Sequence, residues 1–213
     1  MGSEMCIRDS LSGVLFHGLY LGGVFYSISI GMPTSIAALI VTLQPILTNI
    51  LSGPILNEKV TLKQWIGVLL GFLGATLVLG LDLGSKIPLL GLVATLIALI
   101  SITASTIWQK KLSNNLPLSV SNFYQAVGGC FFHIIVVIFF AKPYIAFTKT
   151  FLFSMGHQIF LVSFGAFTIL MFLIKKNSAS KTVSIFFLIP ATSALMAWFF
   201  LEESLTTIDL VGF

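Results

Sequence analysis

Residues 35–67, SIAALIVTLQPILTNILSGPILNEKVTLKQWIG, and residues 180–212, SKTVSIFFLIPATSALMAWFFLEESLTTIDLVG, align without a gap at a constant offset of 145 positions. Eight of the 33 positions are identical: Ser35 with Ser180, Ile40 with Ile185, Leu43 with Leu188, Pro45 with Pro190, Leu56 with Leu201, Glu58 with Glu203, Thr61 with Thr206 and Gly67 with Gly212. Apolar helices match one another by composition alone, so the weight falls on the proline, the glutamate and the glycine, which are awkward in a hydrophobic helix. Their intervals are the same in both copies. That marks an internal repeat, and a repeat decides the architecture before any single element does.

The setting of the repeat is a membrane. Hydrophobic residues make up 57% of the chain and charged residues 8%, with a mean hydropathy of +1.05, where about a quarter of a soluble domain is charged. A helix needs ~20 apolar residues to cross the hydrocarbon. The uncharged runs predict spans over 11–30, 35–55, 64–81, 88–108, 119–140, 153–174 and 182–201, with an eighth beginning near Asp209. Runs that stay apolar for this long predict an all-α transmembrane bundle, because barrel strands alternate over about 10 residues. The lysines stand singly or in pairs between spans, so the net charge of +4 implies no nucleic-acid partner. Cys6 and Cys130 suggest neither a disulfide framework nor a metal site. Residues 1–10 are polar, lack the apolar core of a signal peptide and are expected to be a leader, either not native to the fold or a short cytoplasmic tail. The remainder divides into 11–81 and 82–213.

Loops on one side of the membrane carry Lys59, Lys63, Lys110, Lys111, Lys175, Lys176 and Lys181, against Lys86, Lys142 and Lys149 on the other. Positive charge is retained in the cytoplasm, which predicts a cytoplasmic N-terminus. Glu58 then ends an inward span and Glu203 an outward one, so the two repeat copies are inverted. Inverted repeats related by an axis in the membrane plane belong to secondary transporters, where exchanging the conformations of two similar halves turns an inward-open site outward. An odd number of spans per unit reverses the second copy, and the offset fits five.

With Ala37-Ala38-Leu39 before Pro45, the stretch from Glu58 through Gly67 to Gly71 and Gly74, the Trp108-Gln109-Lys110-Lys111 close of the fourth span, and Pro190 to Gly212, the chain resembles the drug/metabolite transporter superfamily, specifically its EamA type. The resemblance covers about residues 11–213. It implies two five-helix repeats with cytoplasmic termini, and a multi-pass carrier in the bacterial inner membrane that often exports amino acids or related metabolites without a cofactor. Against that pattern the chain lacks two leading spans and most of the last, and is expected to be a piece of a ten-helix protein. The expected partners are a small-molecule substrate, the lipid bilayer and, in a homodimer, a second copy.

Several residues are candidates for function. Pro45 and Pro190 free the carbonyls of Val41 and Phe186 and should kink their helices, as paired hinges or as tolerated transmembrane prolines. Glu58 and Glu203 stand past helix ends, where a carboxylate can cap the following helix or pair with a nearby lysine such as Lys59 or Lys63; proton coupling is the sharper alternative. The small faces Gly67-Gly71-Gly74 and Gly18-Gly22 suit close helix packing. Polar residues at helical spacing must face protein or water. Of these, His17, Tyr20, Gln44, Trp108 and Gln125 are expected to form a substrate pathway, with Tyr20, Gln44, Trp108 and Gln125 converging on one central cavity. No Asp, Glu, Lys or Arg lies within a predicted span, so a neutral or zwitterionic substrate fits better than a strongly anionic one. Two readings compete with a carrier: a seven-helix receptor and a non-transporting scaffold. An enzyme is disfavoured, since the spans hold no metal-binding His pair, no Gly-x-Ser-x-Gly and no pair of carboxylates.

Overall fold

A computed structural model of the chain describes residues 2–80, 86–112, 117–140, 145–201 and 212. Among them are seven helices long and apolar enough to cross a membrane: α1 (Glu4–Ser29), α2 (Thr34–Leu56), α3 (Leu62–Leu79), α4 (Leu89–Leu112), α5 (Leu118–Phe140), α6 (Lys149–Lys176) and α7 (Ala179–Met196). The expected spans are all there. The eighth lies outside the described residues apart from Gly212, whose carbonyl would stand 2.5 Å from a Cβ built at Gly74.

Helix ends differ from the expected ones by up to a turn because a lysine does not stop a helix. Lys110 and Lys111 occupy the last turn of α4, and Lys175 and Lys176 that of α6, where a cation meets the negative end of the helix dipole and its apolar stem can lie along the bundle. The larger difference is at the start. Residues Gly2–Gly13 are helical and run straight into the first span. They pack on α5, where Ser121 Oγ donates to the buried Asp9 carboxylate at 2.9 Å. This contact brings backbone against backbone, for a Cβ at Gly13 would strike the carbonyl of Gln125 and one at Gly128 that of Ser10.

α4 is the central post of the bundle. It packs against α1, α2, α6 and α7, and among its fully or nearly fully buried residues are Thr95, Ala98, Ile102, Thr103 and Ser105. The buried threonines return their hydroxyls to their own helix, Thr95 to Gly91 O and Thr103 to Leu99 O, both at 2.8 Å. Such back-bonding lets a polar residue sit inside a membrane bundle without an orphaned hydroxyl.

Among the described residues, regular helix is interrupted within the spans at four places, and these pair across the repeat. In α1, Val14–Leu21 forms a wide, π-type turn; in α6, Gln158–Ala166 does the same. Shifted by 145, the first segment becomes 159–166, against the observed 158–166. Ahead of Pro45, α2 breaks at Thr42-Leu43, where Leu43 N–H reaches back only to Ile40 O at 3.1 Å. Ahead of Pro190, Ile185–Phe187 tightens to a 3₁₀ turn, also as expected where a ring replaces an N–H. The paired helices α2 and α7 run in opposite directions, since the end of α2 touches the start of α7 through Glu58 and Ala179.

Candidate functional site

The four interruptions converge on one cavity of about 830 Å³. The wide turn of α1 gives Phe16, His17, Tyr20 and Leu21, and that of α6 gives Gln158, Val162, Ser163 and Ala166. Pro45 and Pro190 both line it, with Thr42 and Gln44 before one and Phe186 and Phe187 before the other. Among the described residues no Asp, Glu, Lys or Arg does. The cavity runs from mid-bundle toward the end that holds Ile28, Thr34, Val78, Leu79 and Ala194.

The wide turn explains how α1 presents its side chains. Where i→i+5 spacing returns to i→i+4, one carbonyl loses its helical partner; Gly22 N–H bonds to Gly18 O and Leu19 O, and His133 of α5 lies 2.9 Å from His17 O through Nε2. A carbonyl only accepts, so that nitrogen donates. The His17 ring is held separately, 5.1 Å from Phe16 and 4.8 Å from Phe167 of α6, while Tyr20 meets Phe16 edge-on at 5.4 Å. An aromatic wall therefore spans the two repeat-related helices.

Gln44 sits at the cavity floor, 1% exposed. Its Nε2 donates to Thr106 Oγ1 at 3.1 Å, and that hydroxyl donates onward to Ile102 O at 2.9 Å, so the amide is oriented by the central helix. Of the residues expected on a pathway, His17, Tyr20 and Gln44 meet at the cavity, together with Pro45 and Pro190. Gln125 and Trp108 do not. Gln125 is fully buried between α4, α5 and α6, where its Oε1 accepts from Gln109 Nε2 at 3.0 Å and its Nε2 donates to Ser121 Oγ at 3.2 Å. Trp108 is 36% exposed and donates from Nε1 to Arg8 O at 3.2 Å, the position of a membrane-interface tryptophan. The expected convergence of four side chains is therefore met by two, because helix rotation turns the other two toward neighbouring helices or the interface.

Glu58 caps a different helix from the one expected. The start of α3 is satisfied by Thr61 and Gln64, with Thr61 N–H donating to Gln64 Oε1 at 2.8 Å and Gln64 N–H to Thr61 Oγ1 at 3.3 Å. Asn57, at φ 56°, turns the chain through the left-handed region, and the Glu58 carboxylate reaches α7, accepting from Ala179 N–H at 2.9 Å and Ser180 N–H at 3.4 Å. Glu203 lies outside the described residues. Sequence reasoning also missed Asn49, whose Oδ1 accepts from Ser180 Oγ, and Lys110, whose Nζ donates to Ile174 O at 2.9 Å. The match of Ser35 with Ser180 was the available signal for the former.

A family model described as the EamA-like transporter family matches residues 10–80 and 89–213. The chain is similar to an uncharacterized transporter, YvbV, of Bacillus subtilis (strain 168), at 28% identity over 95% of this chain. It spans 65% of the length of that relative. One crystal structure superposes with a TM-score of 0.78 at 15% identity, covering 98% of this chain and 81% of the other, which bears on the fold alone.

Proposed function

The chain belongs to the EamA-like transporter family, and from that premise we propose that it carries a small neutral or zwitterionic metabolite, such as an amino acid, across the bacterial inner membrane by alternating access. One observation carries the reading: a cavity without a charged lining lies where both proline breaks and both wide turns meet. A ligand with a net negative charge would find no counter-ion there, whereas a ring or aliphatic chain would pack against Phe16, Phe167 and Phe187, with Gln44, His17 and Tyr20 offering hydrogen bonds. Alternating access is supported by interruptions that recur in helices of opposite direction, since each half then holds the same hinge. Export is the direction that the resemblance implies. The lysine bias supports a cytoplasmic side for the loops after α2, α4 and α6.

The test is transport. The whole protein in proteoliposomes loaded with mixed amino acids, sugar phosphates and dicarboxylates should release one or more neutral or zwitterionic solutes faster than protein-free vesicles. Release confined to the anions would overturn the substrate class, and no release of any solute would overturn the carrier reading for this set.

A further inference from the structure

Side-chain bonds between spans are unevenly placed. Among the described residues they fall at or below the level of His17, in the half that ends at the lysine-bearing loops: Gln44 to Thr106, Ser12 to Ser105, Ser121 to Asp9, Gln109 to Gln125, Gln125 to Met171, Asn122 to Thr168 and Ser180 to Asn49. The cavity occupies the other half. Below its floor, α2 continues the polar face with Thr48, Asn49 and Ser52, which are 0%, 3% and 0% exposed. Two polar atoms there, Thr48 Oγ1 and Asn49 Nδ2, are buried without a hydrogen-bond partner. Buried polar groups are rarely left so. A face of this composition suits contact with water or a polar solute in another arrangement of the helices.

What holds this half shut is concentrated on one turn. The α6–α7 connection is gripped from both sides: Lys110 Nζ donates to Ile174 O at 2.9 Å and Asn177 O at 2.5 Å, and the Glu58 carboxylate takes the first two N–H groups of α7. Ser178 Oγ takes the third, from Lys181, at 3.3 Å. A carboxylate on helix N–H groups forms a charge-assisted bond aligned with the dipole, so Glu58 contributes the strongest of these contacts between α2 and α7. Those two helices carry the proline breaks, so swinging the segment of α7 before Pro190 away from α2 would part the Glu58 and Asn49 contacts together and expose Thr48.

We propose that Glu58 is a latch: its bond to the start of α7 closes the lysine-bearing half of the pathway, and Thr48 and Asn49 line the passage that opens when it is released. The proposal rests on the carrier reading, yet it is tested without transport. In a protein with Cys6 and Cys130 replaced by serine, Thr48→Cys gives up no hydrogen bond and Ser27→Cys marks a buried site, 0% exposed, at the opposite end. Both are placed in lipid nanodiscs, where a charged, membrane-impermeant thiol reagent reaches both faces. With Glu58 intact, both cysteines should react slowly. Glu58→Ala should raise the rate at position 48 at least tenfold and leave position 27 within twofold. Glu58→Gln, which keeps an acceptor but loses the charge, should fall between. An unchanged rate at position 48, or equal acceleration at 27 and 48 in both variants, would overturn the latch, and neither result would bear on whether the protein transports a solute.

Discussion

Gln44 and Gln125 look alike in sequence, each an uncharged amide on a polar stripe of an apolar helix, and the bundle uses them differently. Gln44 faces the cavity and takes its orientation from Thr106; Gln125 is spent on Gln109 and Ser121. Gln44→Ala should therefore lower solute flux in the whole protein by about tenfold or more while membrane insertion and the unfolding temperature in detergent stay the same. Gln125→Ala should do the reverse, taking one of the two acceptors from the buried Gln109 Nε2 and leaving it Ser105 Oγ alone, and destabilising the bundle by roughly 1–3 kcal/mol, read as a lower unfolding temperature. Equal flux loss in both variants would mean that the cavity has been misassigned. The periodicity identified both as polar positions that must avoid lipid. It could not assign their partners, because helix rotation is set by contacts between residues tens of positions apart.

At the scale of elements, the paired prolines were legible as helix breaks and the structure puts a break ahead of each. The wide turns in α1 and α6 were not legible, since nothing in Val14–Leu21 or Gln158–Ala166 distinguishes i→i+5 spacing from i→i+4 by composition. The glycine face of α3 was half legible. A Cβ at Gly71 would come 2.7 Å from the ring of Phe187 on the cavity wall, whereas one at Gly67 meets nothing within 4 Å. Gly71→Val should thus overpack the α3–α7 contact, lowering stability by about 1–3 kcal/mol and displacing Phe187. Gly67→Ala should be neutral. Thermal unfolding of the two variants in one detergent separates them, and a Gly71→Val protein as stable as the parent would contradict the packing described.

For the whole molecule, the seven spans, the inversion and the charge bias were all present in the sequence, because hydrophobic length and lysine placement are local properties. Which half is shut was not, because closure depends on Glu58 meeting α7 across 121 positions of chain. The orientation has a direct check. With native cysteines removed, Ile145→Cys should react in intact cells with an impermeant thiol reagent, and Asn177→Cys only after the membrane is opened. The opposite pattern would invert the protein in the membrane.

The wide turns also bear on how the chain can vary in length. Each holds one residue more than an α-helical stretch of equal rise, so its flanks already stand where a helix one residue shorter would leave them. Deleting Leu15 should therefore let α1 close into ordinary helix, with Asp9 and Ser27 keeping their faces and only the His133 bond to His17 O given up. Removing Ile100 from α4, which has no such slack, turns everything beyond it by about 100° and should abolish folding. Size-exclusion profiles of the two deletions in detergent, monodisperse for the first and aggregated for the second, would place the tolerated change in length at the cavity wall.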